Sequence, residues 1–244
     1  MKERFFIALA IIVFAFVSSN AVDLNTILSA VFREQDRIAN INKDAIYDGV
    51  FSYIELNNKG DTTKTITSAR RIYSKGYDKQ KSVYSEMTIN DRRLSQSEIE
   101  KENRKNQSNQ KTNLPFSTDF RNDYSFDYIG ENNRNGLKVW QIGFIPNRKG
   151  KGYIKGFADV LQADSNIVYI NFTPVGLPFV LKDFSSELDY SKMQGFWVPT
   201  KFSLQMEIQV KVILSFAHKY IRMQEIYSNY TFNNNLPDSL FSNK

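Results

Sequence analysis

Phe202-Ser203-Leu204-Gln205-Met206-Glu207-Ile208-Gln209-Val210-Lys211-Val212-Ile213-Leu214 is the stretch from which the fold can be read. Apolar side chains occupy every second position, from Phe202 through Leu204, Met206, Ile208, Val210 and Val212 to Leu214, and polar ones fill most of the others. Strict alternation of this kind is the period of a β-strand with one face in a core and the other in water. At about 1.5–3 kcal/mol per buried side chain, such a face contributes on the order of 10–20 kcal/mol before entropy is counted. The sequence therefore has to supply other strands, or a helix, to cover it.

The same pattern extends outward in both directions. Ala45 to Leu56, Thr62 to Tyr73, Lys79 to Ile89, Tyr124 to Gly130, Leu137 to Pro146, Tyr153 to Ala163 and Ile167 to Phe172 are β-type runs separated by turn chemistry such as Asn57-Asn58-Lys59-Gly60-Asp61. Phe216 to Lys219 is expected to turn the chain into a last strand, Tyr220 to Phe232, with a bulge near Glu225, because Ile221 and Met223 are out of phase with Ile226, Tyr230 and Phe232. Trp140, Ile142 and Phe144 share a face, and they are expected on a strand neighbouring the 202–214 run. The apolar loop from Thr173 to Leu181 is either tucked into the core or the mouth of a binding site.

Two helices interrupt the strands. Asp23 can cap a helix over residues 24 to 42, in which Leu24, Ile27, Leu28, Val31, Ile38 and Ile41 recur near helical spacing. Ser95-Gln96-Ser97-Glu98 has the form of a capping box, with Leu94 and Ile99 placed as its hydrophobic staple. After Ile99 that helix is polar on every face and runs into the apolar-free stretch Asn106 to Asn113, so 94–113 reads as a polar insertion, a mobile arm or lid. The fold class that follows is mainly β (α+β): an unclosed antiparallel β-barrel or strongly curved sheet, covered by an N-terminal amphipathic helix.

The chain begins with Lys2 and Arg4, an apolar run from Phe5 to Val17, and Ser19-Asn20-Ala21. This is the order of a cleavable export signal, cut after Ala21, and the apolar run is shorter than the roughly 20 residues that span a bilayer. Residues 1–21 are thus read as a signal peptide, 22–232 as one domain, and 233–244 as a flexible tail. There is no Cys, so neither a disulfide nor an acylated N-terminal Cys is available, and the protein is expected to be exported without a lipid anchor. The formal charge of +6 fits a solvated basic surface or attraction to anionic head groups, and no nucleic-acid motif accompanies it.

No catalytic, metal or cofactor constellation is legible. His218 is the single histidine, read as a surface residue in a turn, and no Gly-x-Ser-x-Gly elbow, phosphate-cradling loop or His-Glu-x-x-His occurs. The expectation is a protein without enzymatic activity and without a cofactor.

The layout resembles the LolA/LolB-like family of periplasmic lipoprotein carriers and its RseB/MucB-type relatives. The residues that carry the resemblance are the export signal, the helix from Leu24 to Ile41, strands containing Tyr53 and Tyr73, and the middle insertion. They continue through the Gly136 to Pro146 strand, Gly156-Phe157-Ala158-Asp159, Phe196-Trp197-Val198-Pro199 before the long apolar strand, and the closing Tyr227-Ser228-Asn229-Tyr230. The resemblance implies an apolar cavity that accepts the acyl chain of a lipid or lipoprotein, and it carries no ligand-contacting residue onto this sequence. The candidate lining is Trp140, Ile142, Phe144, Phe202, Leu204, Met206, Ile208, Val210 and Val212. A monomer is expected, with an envelope protein as a second class of partner. Two alternatives stand beside the carrier: a periplasmic sensor or scaffold that binds protein partners with the same fold, and a small outer-membrane barrel.

Overall fold

The computed structural model describes residues 23–76, 79–105, 114–178, 180–212 and 215–242. The export signal read at 1–21, the polar stretch 106–113 and Leu214 lie outside the described residues. Asp23 accepts from the backbone N–H groups of Asn25 and Thr26 and so caps helix α1 (Leu24–Ile41), as its position in the sequence suggests. Then follow β1 (Asp44–Asn57), β2 (Thr62–Lys75), β3 (Lys79–Ile89), the short β4 (Arg92–Arg93) and helix α2 (Gln96–Lys105). The second half of the chain supplies β5 (Tyr124–Arg134), β6 (Leu137–Pro146), β7 (Ile154–Leu161), β8 (Ile167–Pro174), β9 (Leu181–Met193), β10 (Phe196–Val212) and β11 (Ser215–Phe232), with a short 3-10 helix at Asp238–Phe241 after them.

All eleven strands form one antiparallel sheet, in the order β4-β3-β2-β1-β11-β10-β9-β8-β7-β6-β5. Strands consecutive in sequence pair, except β4 and β5, and β1 pairs with β11, so the first and last strands are zipped together. The sheet stays open between β4 and β5, where the chain leaves to form α2. This is the unclosed antiparallel architecture that the sequence pattern implies.

The register shows where the helices sit. Directly opposed residues in antiparallel strands share a face, and one continuous row runs Ile142, Ala158, Ile170, Leu188, Phe202, Glu225, Phe51, Ser68, Met87 across nine strands from β6 to β3. Ile27 and Val31 of α1 pack on the β6–β8 end of this face, in a core with Ile142, Phe144, Ala158, Val160 and Ile170. At the other end Ile99 of α2 packs with Leu94 and Met87, against Ile66, Tyr84 and Ile89. Both helices therefore cover the same face, one at each end. The strands in the middle, β9, β10, β11 and β1, lie between them.

Four local expectations change. Phe216 to Lys219 do not turn the chain: they are strand, with Lys211 opposite Phe216, Ile208 opposite Lys219 and Val212 already opposite Ser215. None of these residues has turn chemistry, and Phe216, His218 and Tyr220 continue the alternation. The irregularity in β11 falls near Asn229, which has φ 55°, where the register with β1 shifts between Ile46 and Asp48, and not at Glu225. Ile226 appears out of phase because it is 43% exposed on the opposite face.

The polar arm read at 94–113 is docked where it is described. Ser95 and Glu98 form the capping box, with the Ser95 N–H donating to Glu98 Oε2 at 2.8 Å and the Glu98 N–H donating to Ser95 Oγ at 3.4 Å. Asn103 then accepts from the Tyr84 N–H at 2.7 Å and donates to the Tyr84 carbonyl at 3.1 Å, which gives the edge of β3 a side-chain partner. The segment after Phe232, read as a tail, is tied down through 242. Asp44 accepts from the N–H groups of Asn234 and Leu236 at 2.6 and 2.9 Å, Leu236 is buried, and Lys75 and Lys79 both pair with Asp238.

Candidate functional site

The middle of the helix-bearing face is apolar and only half covered. Leu188, Phe202, Leu204, Met206, Met223, Phe51 and Tyr53 are all partly buried there, neither sealed like Ile142 and Phe144 nor fully in water. Their positions follow from the register, in which Leu204 lies between Ser186 and Met223, and Met223 is followed by Tyr53 and Ile66. Apolar binding surfaces have this composition, with Met and aromatic side chains that repack around a guest.

A polar cluster interrupts the apolar surface. Glu225 on β11 and Arg70 on β2 are two strands apart and meet across β1, where Gly49 leaves the space between them. The contact is bidentate, with Arg70 Nε and Nη2 donating to the two Glu225 oxygens at 2.6 Å each. Tyr227 also donates to Glu225, at 3.0 Å, and Tyr84 lies under the guanidinium, 5.7 Å from its ring centre. Burial works against the charge on Arg70, but the Glu225 carboxylate more than offsets it and holds the guanidinium pKa above its ordinary value. Burial, followed by the Glu225 charge, pushes Tyr47 up to about 12 and Tyr227 higher still, so these phenols remain protonated.

The nine candidate residues are not one lining. Ile142 and Phe144 are fully buried against α1, and Trp140 packs at the margin of the same core. Their strand, β6, is separated from β10 by β7, β8 and β9, so the two groups share a face without being neighbours. Phe202, Leu204, Met206 and Ile208 are half-buried in the uncovered middle, whereas the side chains of Val210 and Val212 lie outside what is described. The structure adds Phe51, Tyr53 and Met223 to this surface, and Arg70 and Glu225 at its centre. Sequence spacing does carry a signal for that pair. Glu225 continues the phase of Ile221 and Met223, and Arg70 falls in phase between Ser68 and Ile72, so both charges stand at core-facing positions.

The loop from Thr173 to Leu181 is neither sealed in the core nor fully exposed. Val175 packs on the α1 core, and Pro174, Leu177 and Val180 are half-buried. His218 lies in β11, where its Nε2 is 2.5 Å from Glu207 Oε1. A depression of about 340 Å³ beside it is lined mainly by Asp183, Ser185, Gln205, Glu207, Tyr220 and Arg222. These six belong by register to the opposite, polar face. Among the described residues, no cluster of His, Asp and Glu has the makings of a metal site.

No family model matches the chain, and no curated protein matches it. Solved structures do. A DUF1329 family protein from Desulfovibrio piger is 16% identical with a TM-score of 0.47, over 89% of this chain and 96% of that one. A LolA superfamily protein from Nitrosomonas europaea is 13% identical with a TM-score of 0.48, over 88% and 97%. The MucA/MucB complex of Pseudomonas aeruginosa matches at 8% identity and a TM-score of 0.24, over 81% and 94%. The last two are the groups whose layout the sequence resembles. At these identities and TM-scores no residue role passes from those proteins to this chain.

Proposed function

We propose that this chain is an exported binding protein of the periplasm, without catalytic activity, that holds the acyl chain of a lipid or lipoprotein against the uncovered middle of its helix-bearing face. One observation carries the reading: α1 and α2 cover the two ends of that face, and Phe202, Leu204, Met206, Met223 and Phe51 between them are left half-buried. Each buried methylene of a guest contributes about 0.8 kcal/mol, so a long acyl chain has enough surface to bind here against the cost of immobilising it.

The test is saturable uptake of an environment-sensitive fluorescent fatty acid by the detergent-free mature protein. Leu204→Ser and Met206→Ser, at half-buried positions, are expected to weaken uptake about tenfold each while the protein stays folded. Absence of uptake by the native protein, together with capture of an envelope protein, would favour the sensor or scaffold reading instead.

A further inference from the structure

Ser68, on β2, is 5% exposed, and its hydroxyl has no hydrogen-bond partner among the described residues. It stands on the helix-bearing face with Phe51 on one side and Met87 on the other. Leaving a buried hydroxyl unpaired costs about 1–3 kcal/mol, and an Ala at this position would avoid that cost.

Two residues further along the same strand, on the same face and roughly 7 Å away, stands Arg70. Its Nε and Nη2 are committed to Glu225, but Nη1 reaches Ser82 Oγ and Tyr84 Oη only at 3.4 Å each. Those distances exceed the usual 2.7–3.2 Å of a well-made bond. The Ser82 and Tyr84 hydroxyls make no other hydrogen bond among the described residues. Ser68, Arg70, Ser82 and Tyr84 occupy adjoining positions on β2 and β3, so these polar groups stand side by side on one face, at the border of the apolar surface. Because Glu225 already neutralises Arg70, this area suits a neutral acceptor better than a second negative charge.

We propose that Ser68, Arg70 and Tyr84 form the head-group end of the acyl site, and that they donate to the carbonyl oxygen of a neutral acyl ester or amide whose tail lies along Phe51, Tyr53 and Leu204. The assignment rests on the acyl-carrier reading and adds that the ligand is not a bare hydrocarbon or a free carboxylate.

The experiment is displacement of the neutral fluorophore N-phenyl-1-naphthylamine from the detergent-free mature protein by three competitors of equal chain length: a monoacylglycerol, the free fatty acid and the alkane. The native protein is expected to prefer the monoacylglycerol over the alkane by at least tenfold, the equivalent of one to two hydrogen bonds. In the Ser68→Ala/Tyr84→Phe variant that ratio should fall to near one. A native protein without the preference, or a variant that retains it, overturns the head-group assignment and leaves the acyl carrier standing. Tightest binding by the fatty acid, weakened by salt, overturns the neutral acceptor in favour of an anion. No displacement by any competitor overturns the assignment and the carrier reading together.

Discussion

Glu225 grips Arg70 across an intervening strand, with two contacts of 2.6 Å, because the residue of β1 that lies between them is Gly49. A β-carbon on Gly49 would stand 2.6 Å from Glu225 Oε1 and 3.1 Å from Ile72 Cδ1. The carboxylate cannot simply swing aside, since both of its oxygens are held by Arg70 and one also accepts from Tyr227. Gly49→Ala is therefore expected to destabilise the fold by about 1–3 kcal/mol, the usual cost of overpacking. Urea titration measures it, and an unchanged midpoint would show that the ion pair does not fill this space.

Breaking the pair should cost more than replacing it. The Glu225 side chain is 4% exposed and that of Arg70 21%, so Glu225→Ala leaves a mostly buried cation without its partner. A loss of about 3 kcal/mol is expected, discounted from the upper end of the range because Arg70 retains some solvent. Arg70→Met combined with Glu225→Leu should recover most of the loss. A double variant no more stable than Glu225→Ala would mean that the two side chains act independently.

Asp44 gives the stability a dependence on acid. Burial raises its pKa, but the backbone N–H donors of Leu236 and Asn234 outweigh burial and hold it below the ordinary value. A carboxylate whose folded pKa is depressed contributes fully above its unfolded value of about 4, and the contribution is lost as pH falls through the lower, folded value. The protection of the 234 and 236 amides, measured against the intrinsic exchange rate at each pH, should therefore begin to fall as the pH drops below about 4. Asp44→Ala should release the same segment already at neutral pH, and protection unaltered by that change would rule out the tether.

The docking of α2 is equally open to test. Asn103 reads both the N–H and the carbonyl of Tyr84, so Asn103→Ala should accelerate hydrogen exchange at the Tyr84 amide specifically. Ile99→Ala removes a side chain that is 3% exposed and should cost about 2 kcal/mol, while opening 96–105 to proteolysis. Equal exchange rates in native and Asn103→Ala proteins would place α2 off the sheet in solution.

Much of this fold is local and was therefore legible. The cap at Asp23, the capping box at Ser95 and Glu98, and the strand that the alternation from Phe202 marks each depend on a few neighbouring residues, and the structure has both caps and a strand that runs through Val212. What depends on strand order was not. Trp140 and Leu204 share an apolar pattern and a face, yet three strands separate them, because a periodicity of two reports a face and not a neighbour. The bulge lies at Asn229 and not at Glu225 for a related reason: Ile226 is apolar yet exposed, so apolar phase alone does not mark the core face. Asp44 bonds to residues 190 and 192 positions away, a distance over which a reading of the tail alone has no signal.

Native mass spectrometry of the detergent-free mature protein, purified from its own envelope fraction, tests the acyl-binding claim most directly. Acyl binding predicts an added mass corresponding to an acyl lipid, reduced in the Leu204→Ser and Met206→Ser variants. A clean apo mass, with no uptake of acyl chains supplied afterwards, would contradict it.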